Sequence, residues 1–270
     1  MPQEPLSSTL QVRAISVTLG SQPILSQLDV PDLAGGSLVA LLGANGSGKS
    51  TLLKSVAGLI PAQATTLKLG ADDLRAWGAA QRATHIRYLP QSLPGDVHLT
   101  VVEAVLVALH ARQRTAQAAS PPDRATERVE AVLKDLDIAR LGSRYLDELS
   151  GGQKQLVGLA QALIHQPAVL LLDEPLASLD LNYQHHVMQL LRSLTRERGL
   201  LTVIVLHDLN MALRYADYAL IMKQGKLVAS GAPREVITPE NLAQAFSIRA
   251  RVETCSQGLP YVLVDDLLHI

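Results

Sequence analysis

Cysteine is almost absent: Cys255 is the single one among 270 residues. A lone thiol excludes an internal disulfide and a multi-cysteine metal site, and it reads as a small half-buried side chain rather than a reactive one. Aromatics make up only 3%, so a core must be built from Leu, Val, Ile and Ala. The 47% hydrophobic content suffices for one large core, or one core with a smaller lobe. No charge sign dominates. The net charge of −1 gives nucleic-acid binding no electrostatic support. No stretch reaches the roughly 18 apolar residues that a spanning helix needs. The most apolar segments, 101–111 and 168–172, are far shorter, and Glu103 interrupts the first. Residues 1–9 are polar and lack the charged-then-apolar order of a signal peptide. A soluble chain is expected, with any membrane role passing through a partner.

What is present is an alternation of strand and helix signals, broken once. Residues 10–17 read as a strand, and 37–42 form a short apolar run ending in a Gly-rich loop. A helix is expected over 49–59, stopped by Pro61, with strands at 66–69 and 86–89. Helices follow at 100–114, capped by Thr100 and Glu103, at 123–136 and at 150–165. Residues 116–123, with Ser120-Pro121-Pro122, read as a loop between them. The segment 92–166 is thus a helical lobe inserted into an α/β chain. Strands return at 168–173, a run suited to burial on both faces, and at 201–206. Helices are expected at 183–198, 208–215 and 239–246. A hairpin is expected over 218–230, and a last strand pair at 249–254 and 260–264.

Six groups of residues carry chemistry. Gly43-Ala44-Asn45-Gly46-Ser47-Gly48-Lys49-Ser50, followed by Thr51, fits G-x-x-x-x-G-K-[ST] between a strand and a helix. Its glycines turn backbone N–H groups toward one anion, and the helix adds its positive end. Lys49 supplies a point charge, and the Ser50 hydroxyl is a hard ligand suited to Mg²⁺. The strand 169–172 ends in Asp173 and Glu174. The first can hold a metal's water shell, and the second can take a proton from an attacking water. Leu149-Ser150-Gly151-Gly152-Gln153 opens a helix with a good cap and bare backbone, which makes a second anion site. Gln91 follows the strand at 86–89 and reaches metal or water through its amide. His207 ends the strand at 201–206, where a ligand crevice is expected. Ser178-Leu179-Asp180 follows the carboxylate pair.

Together these residues resemble the ATPase subunit of ATP-binding-cassette (ABC) transporters, over about residues 10–246. Residues 43–50 look like the Walker A loop and Gln91 like the Q-loop glutamine. Residues 149–153 look like the signature, 169–173 like Walker B, Glu174 like the catalytic glutamate, 178–180 like the D-loop and His207 like the H-loop histidine. The resemblance implies an α/β P-loop NTPase of RecA-like type with an antiparallel β subdomain and an inserted all-helical subdomain. Residues 10–91 and 167–250 would form the core, 92–166 the helical lobe and 251–270 a C-terminal extension. It also implies a homodimer paired head to tail. ATP would lie between Gly43–Ser50 of one copy and Ser150–Gln153 of the other, with Mg²⁺ on Ser50, Gln91 and Asp173 and with Asp180 near the shared nucleotide. Lys49, Glu174 and His207 would carry catalysis.

The stretch His207-Asp208-Leu209-Asn210-Met211-Ala212, with Tyr215-Ala216-Asp217 and Gly231-Ala232-Pro233-Arg234-Glu235-Val236, is similar to the ATPases of bacterial iron-siderophore, haem and cobalamin importers. That implies polytopic permease subunits, indirectly a periplasmic binding protein, and a peripheral place on the cytoplasmic face of the inner membrane. The alternatives are a soluble ABC ATPase of the iron–sulfur assembly type and an exporter ATPase. An inactive interaction module is disfavoured by the intact Lys49, Asp173, Glu174 and His207.

Three departures from the family pattern stand out. The aromatic that usually stacks on adenine is replaced by Leu19. Base stacking is worth about 1–3 kcal/mol, so weaker and less base-selective binding is expected. Leu156 and Gln161 stand where relatives carry arginines and read as lost surface pairs. The turn at 62–67 lacks the usual glycine.

Overall fold

The computed structural model describes residues 9–91, 97–113 and 122–268. The expected loop at 116–123 lies almost wholly outside them, as do residues 1–8 of the polar start. The chain opens with β1 (Leu10–Leu19), β2 (Gln22–Leu33), β3 (Leu38–Gly43) and α1 (Lys49–Val56). It continues through β4 (Thr66–Leu69), β5 (Asp72–Asp73), α2 (Ala79–His85) and β6 (Ile86–Leu89). The helical lobe holds α3 (Val101–Gln113), α4 (Pro122–Asp135) and α5 (Gly151–Leu163). Then come β7 (Val169–Leu172), α6 (Leu181–Arg198), β8 (Leu201–Val205), α7 (Leu209–Tyr215), β9 (Tyr218–Lys223) and β10 (Lys226–Gly231). The chain closes with α8 (Pro233–Val236), α9 (Pro239–Phe246), β11 (Ile248–Thr254) and β12 (Pro260–Leu267).

The central sheet has the order β10-β9-β3-β8-β7-β6. It is parallel from β9 to β6, with β10 antiparallel at one edge. Its inner strands are buried on both faces, and successive residues feed opposite cores. Leu38, Ala40 and Leu42 of β3 pack with α5, α6 and the helical lobe. Val39 and Leu41 pack with α1 and with the antiparallel sheet β2-β1-β4-β5. This period of two explains why an unbroken apolar run was needed at 169–172. The fold is therefore a RecA-like core with an antiparallel β subdomain and an inserted helical lobe.

The cap expected for α3 is present. Glu103 N–H donates to Thr100 Oγ1 at 3.3 Å, and Thr100 N–H to Glu103 Oε2 at 2.7 Å. One expectation needs correction. Leu156 and Gln161 are not exposed positions that lost a surface pair. Leu156 is 2% exposed within the larger core. Gln161 is part-buried, and its amide donates to Ala104 O at 3.1 Å, tying α5 to α3. The two stand about 140° apart around α5, but the helix is buried continuously over 155–160, so both sides meet protein rather than solvent. In the glycine-less turn, Gln63 and Ser16 exchange backbone hydrogen bonds at 2.8 and 3.0 Å, closing the turn without a left-handed residue there. The boundary drawn between 250 and 251 falls inside β11, whose hairpin with β12 packs on α7 and α9.

Candidate active site

Parallel β-strands deliver their side chains to one rim, at their C-terminal ends. Here β3 ends at Gly43, β8 leads to His207, β7 to Asp173 and Glu174, and β6 to Gln91. These four strands are consecutive neighbours in the sheet, so residues up to 164 positions apart converge. Gln91, Glu174 and His207 line a cleft of about 420 Å³ with Ile24 and the 45–51 loop.

Gly43 must be glycine. Its φ is 149°, and a Cβ there would stand 2.3 Å from Met222 O. The loop then wraps back so that Lys49 Nζ donates to Gly43 O at 2.7 Å and Ala44 O at 3.0 Å. Lys49 is 5% exposed. Burial pulls its ammonium below the usual lysine range, opposed by the charges of Glu174 and Asp173. Ser47 Oγ is buried with no hydrogen-bond partner, an orphaned donor inside the loop. The start of α1 faces the same space, with Ser50 and Thr51 in its first turn. A buried cation, an unpaired hydroxyl and a helix N-terminus fit a phosphate group.

Ser50 Oγ donates to Asp173 Oδ1 at 2.9 Å, and the Tyr88 hydroxyl donates to Asp173 Oδ2 at 2.8 Å. Among the described residues no cluster of three His, Cys, Asp or Glu could hold a metal. A divalent cation here would rely on Ser50, Asp173 and the amide of Gln91, with phosphate oxygens completing its shell. Hard oxygen donors of this kind fit Mg²⁺. Tyr88 had no place in the sequence reading. Its signal was faint: a lone Tyr in a short strand, three residues before Gln91.

Glu174 is gripped from two sides. Gln91 Nε2 donates to its Oε2 at 2.7 Å, and His207 Nε2 lies 2.8 Å from its Oε1. Its backbone is left-handed, with φ of 51°, a conformation that costs a non-glycine residue about 1–3 kcal/mol and collects at functional sites. His207 is set by the turn that follows, where Asp208 Oδ1 accepts from Asn210 and Met211 N–H and starts α7.

The remaining candidates lie elsewhere. Ser150 caps α5, accepting from Gln153 N–H at 3.3 Å, while Gln153 Oε1 accepts from Ser150 N–H at 3.1 Å. Gly151 and Gly152 lie against Ser178 and Leu179, and Asp180 caps α6 through Tyr183 N–H. None of these residues lines the cleft. Leu19, at the end of β1, is 46% exposed and does not line it either; Ile24, just after the turn, does.

A glycine-rich loop around a buried lysine, a carboxylate held by Ser50 and Tyr88, a glutamate held by Gln91 and His207, and a separate capped turn on an inserted helical lobe have the arrangement of an ATP-binding cassette. Residues 30–177 match the family described as ABC transporter, and the chain belongs to that family, whose ATP-binding subunits are ATPases. It is 35% identical over 256 residues to an ABC transporter ATP-binding protein of Methanocaldococcus jannaschii, covering 94% of this chain and 97% of that one. It is 34% identical over 260 residues to the hemin import ATP-binding protein HmuV of Shewanella denitrificans, covering 94% and 100%. It is 36% identical over 240 residues to the achromobactin transport ATP-binding protein CbrD of Dickeya dadantii, covering 89% and 88%. Among solved structures, it is similar to a metal-chelate type ABC transporter in an inward-facing conformation. The TM-score is 0.79 with 25% identity, covering 96% of this chain and 98% of that one.

Proposed function

We propose that this chain is the ATP-hydrolysing subunit of a bacterial importer for an iron-siderophore, haem or cobalamin, working as a head-to-tail homodimer. The observation that carries the chemistry is Glu174, held between Gln91 and His207 beside Lys49 and Asp173. In the proposed reaction Glu174 takes a proton from the water that attacks the γ-phosphate, and His207 orients it and contacts the phosphate. Lys49 and the 43–51 loop bind the phosphates. Ser50, Asp173 and Gln91 would hold Mg²⁺, which neutralises developing charge on the phosphate oxygens when bound. Ser150, Gly151, Gly152 and Gln153 stand outside the cleft. They are therefore assigned to the nucleotide of a second copy, with Asp180 at the seam.

The import assignment is supported by relatives named for haem, cobalamin and achromobactin transport. No helix among the described residues is long and apolar enough to cross a membrane. The proposed assembly therefore supplies its membrane path through polytopic permease subunits, at the cytoplasmic face of the inner membrane, with a periplasmic binding protein feeding them. Affinity purification of the tagged chain from detergent-solubilised membranes tests this. A stoichiometric polytopic membrane protein, itself binding a periplasmic or lipoprotein receptor, is the expected result. Recovery with soluble iron–sulfur assembly proteins alone would overturn it.

A further inference from the structure

Gln184 lies one turn into α6, outside every motif described above. Its side-chain amide donates to two backbone carbonyls of the loop after β7, Leu179 O at 3.0 Å and Leu176 O at 3.2 Å. A primary amide has two hydrogens, so one part-buried side chain spends its whole donor capacity on this loop. The loop begins at Glu174 and is otherwise built from its own turns. Ala177 N–H reaches Glu174 O at 3.3 Å, and Leu179 N–H reaches Leu176 O at 3.1 Å.

The opposite side of the loop presses on the signature turn. A Cβ at Gly152 would stand 2.6 Å from Leu179 Cδ2, and one at Gly151 would stand 3.6 Å from the Ser178 Cβ. Leu176 and Leu179 are both buried. The loop is thus clamped between Gln184 on α6 and the start of α5. Close-packed contacts pass on displacements rather than absorb them.

We propose that Gln184 is a positioning residue that makes the 174–180 loop and the signature turn move as one body. A nucleotide held at this chain's signature turn is then registered at this chain's own Glu174. The two sites of the dimer are coupled through each subunit, not only across the interface. The proposal rests on the head-to-tail reading given above.

Three substitutions separate the donors from the bulk. Gln184→Met keeps the length without a donor. Gln184→Glu keeps the shape but faces two carbonyls with an acceptor. Gln184→Lys keeps donors. In otherwise unaltered chains, the Hill coefficient of ATP hydrolysis is measured. In a Glu174→Gln background, ATP-driven dimerisation is followed by light scattering, and ATP binding to the dilute monomer by fluorescence.

The Met and Glu variants are expected to bind ATP as monomers with parental affinity. They should need about tenfold more ATP to dimerise, and their Hill coefficients should fall toward one. The Lys variant should recover both properties. Parental dimerisation and cooperativity in the Met and Glu variants would overturn the proposal. So would an equal loss in the Lys variant, or a parallel loss of monomer affinity, which would mark a merely structural residue. A Glu174→Gln parent that stays monomeric with ATP would overturn the shared-site reading itself, and the coupling role with it.

Discussion

Removing one oxygen from Tyr88 tests how Asp173 is held. Tyr88→Phe deletes the hydroxyl that donates to Asp173 Oδ2 at 2.8 Å and keeps the ring, which packs with the core beneath the sheet. Burial, and then the Asp173 carboxylate, hold the phenol well above its ordinary pKa. The hydroxyl therefore remains a donor at every pH where the protein works. A hydrogen bond to a charged group contributes about 1.5–3 kcal/mol, and Asp173 is only 5% exposed, so water replaces the lost donor poorly. Ser50 still holds Oδ1, but the carboxylate becomes free to rotate. Loss of such an orienting partner typically weakens metal binding about 10–100-fold.

The assay is a titration of Mn²⁺ into the ATP-bound protein, read by electron paramagnetic resonance, in a Glu174→Gln background that stops turnover. Thermal denaturation runs in parallel. The expected result is a Mn²⁺ dissociation constant raised by about 10–100-fold, a lowered melting temperature and little change in metal-free nucleotide binding. Unchanged Mn²⁺ affinity with a lowered melting temperature would show Tyr88 to be a packing residue and refute the reasoning.

Two further outcomes follow from the same geometry. Glu174→Gln keeps the size of the side chain between Gln91 and His207 but removes the base, so turnover should drop by about 10²–10⁴-fold while ATP affinity persists; steady-state hydrolysis beside equilibrium binding checks this, and unchanged turnover would remove Glu174 from the role of base. Leu19→Tyr should tighten ATP binding by about 1–3 kcal/mol and sharpen the preference for ATP over GTP; competitive binding measures both, and no change in either would mean that the exposed end of β1 does not cover the base.

Most of the candidate site is legible because its parts are chemical types at fixed spacing on strand ends. The phosphate loop, the Asp173-Glu174 pair and the Ser150 cap each declare themselves within eight residues or fewer. The parallel strands beneath them were legible as short apolar runs. β2 was missed for a physical reason. Its pairing with β1 shifts register four times, and Ala14 and Gln27 adopt φ of 49° and 48°. The bulges scramble the alternation that marks a strand, and Pro23 and Pro31 mimic turns. Tyr88 was missed because its partner is set by strand order. Only when β6 lies beside β7 does Tyr88 fall level with Leu171 and reach Asp173. Gln184 was missed likewise, since its carbonyl partners have no side-chain signature. Leu156 and Gln161 are misplaced by comparing residue type with relatives, when the packing of the lobe around α5 decides burial.

The central claim is that residues 43–51 of one chain and 150–153 of another form one site. Mixing two inactive variants tests it most directly. Lys49→Ala spoils the phosphate loop, and Gly151→Asp spoils the signature turn with a negative charge. Each homodimer then has two dead sites. In a mixed dimer, the intact loop of the second variant meets the intact signature turn of the first, and one whole site is rebuilt. The account predicts that the mixture regains hydrolysis, up to about a quarter of the wild-type rate for random pairing of head-to-tail dimers. A mixture that hydrolyses no faster than the two variants measured separately would contradict it.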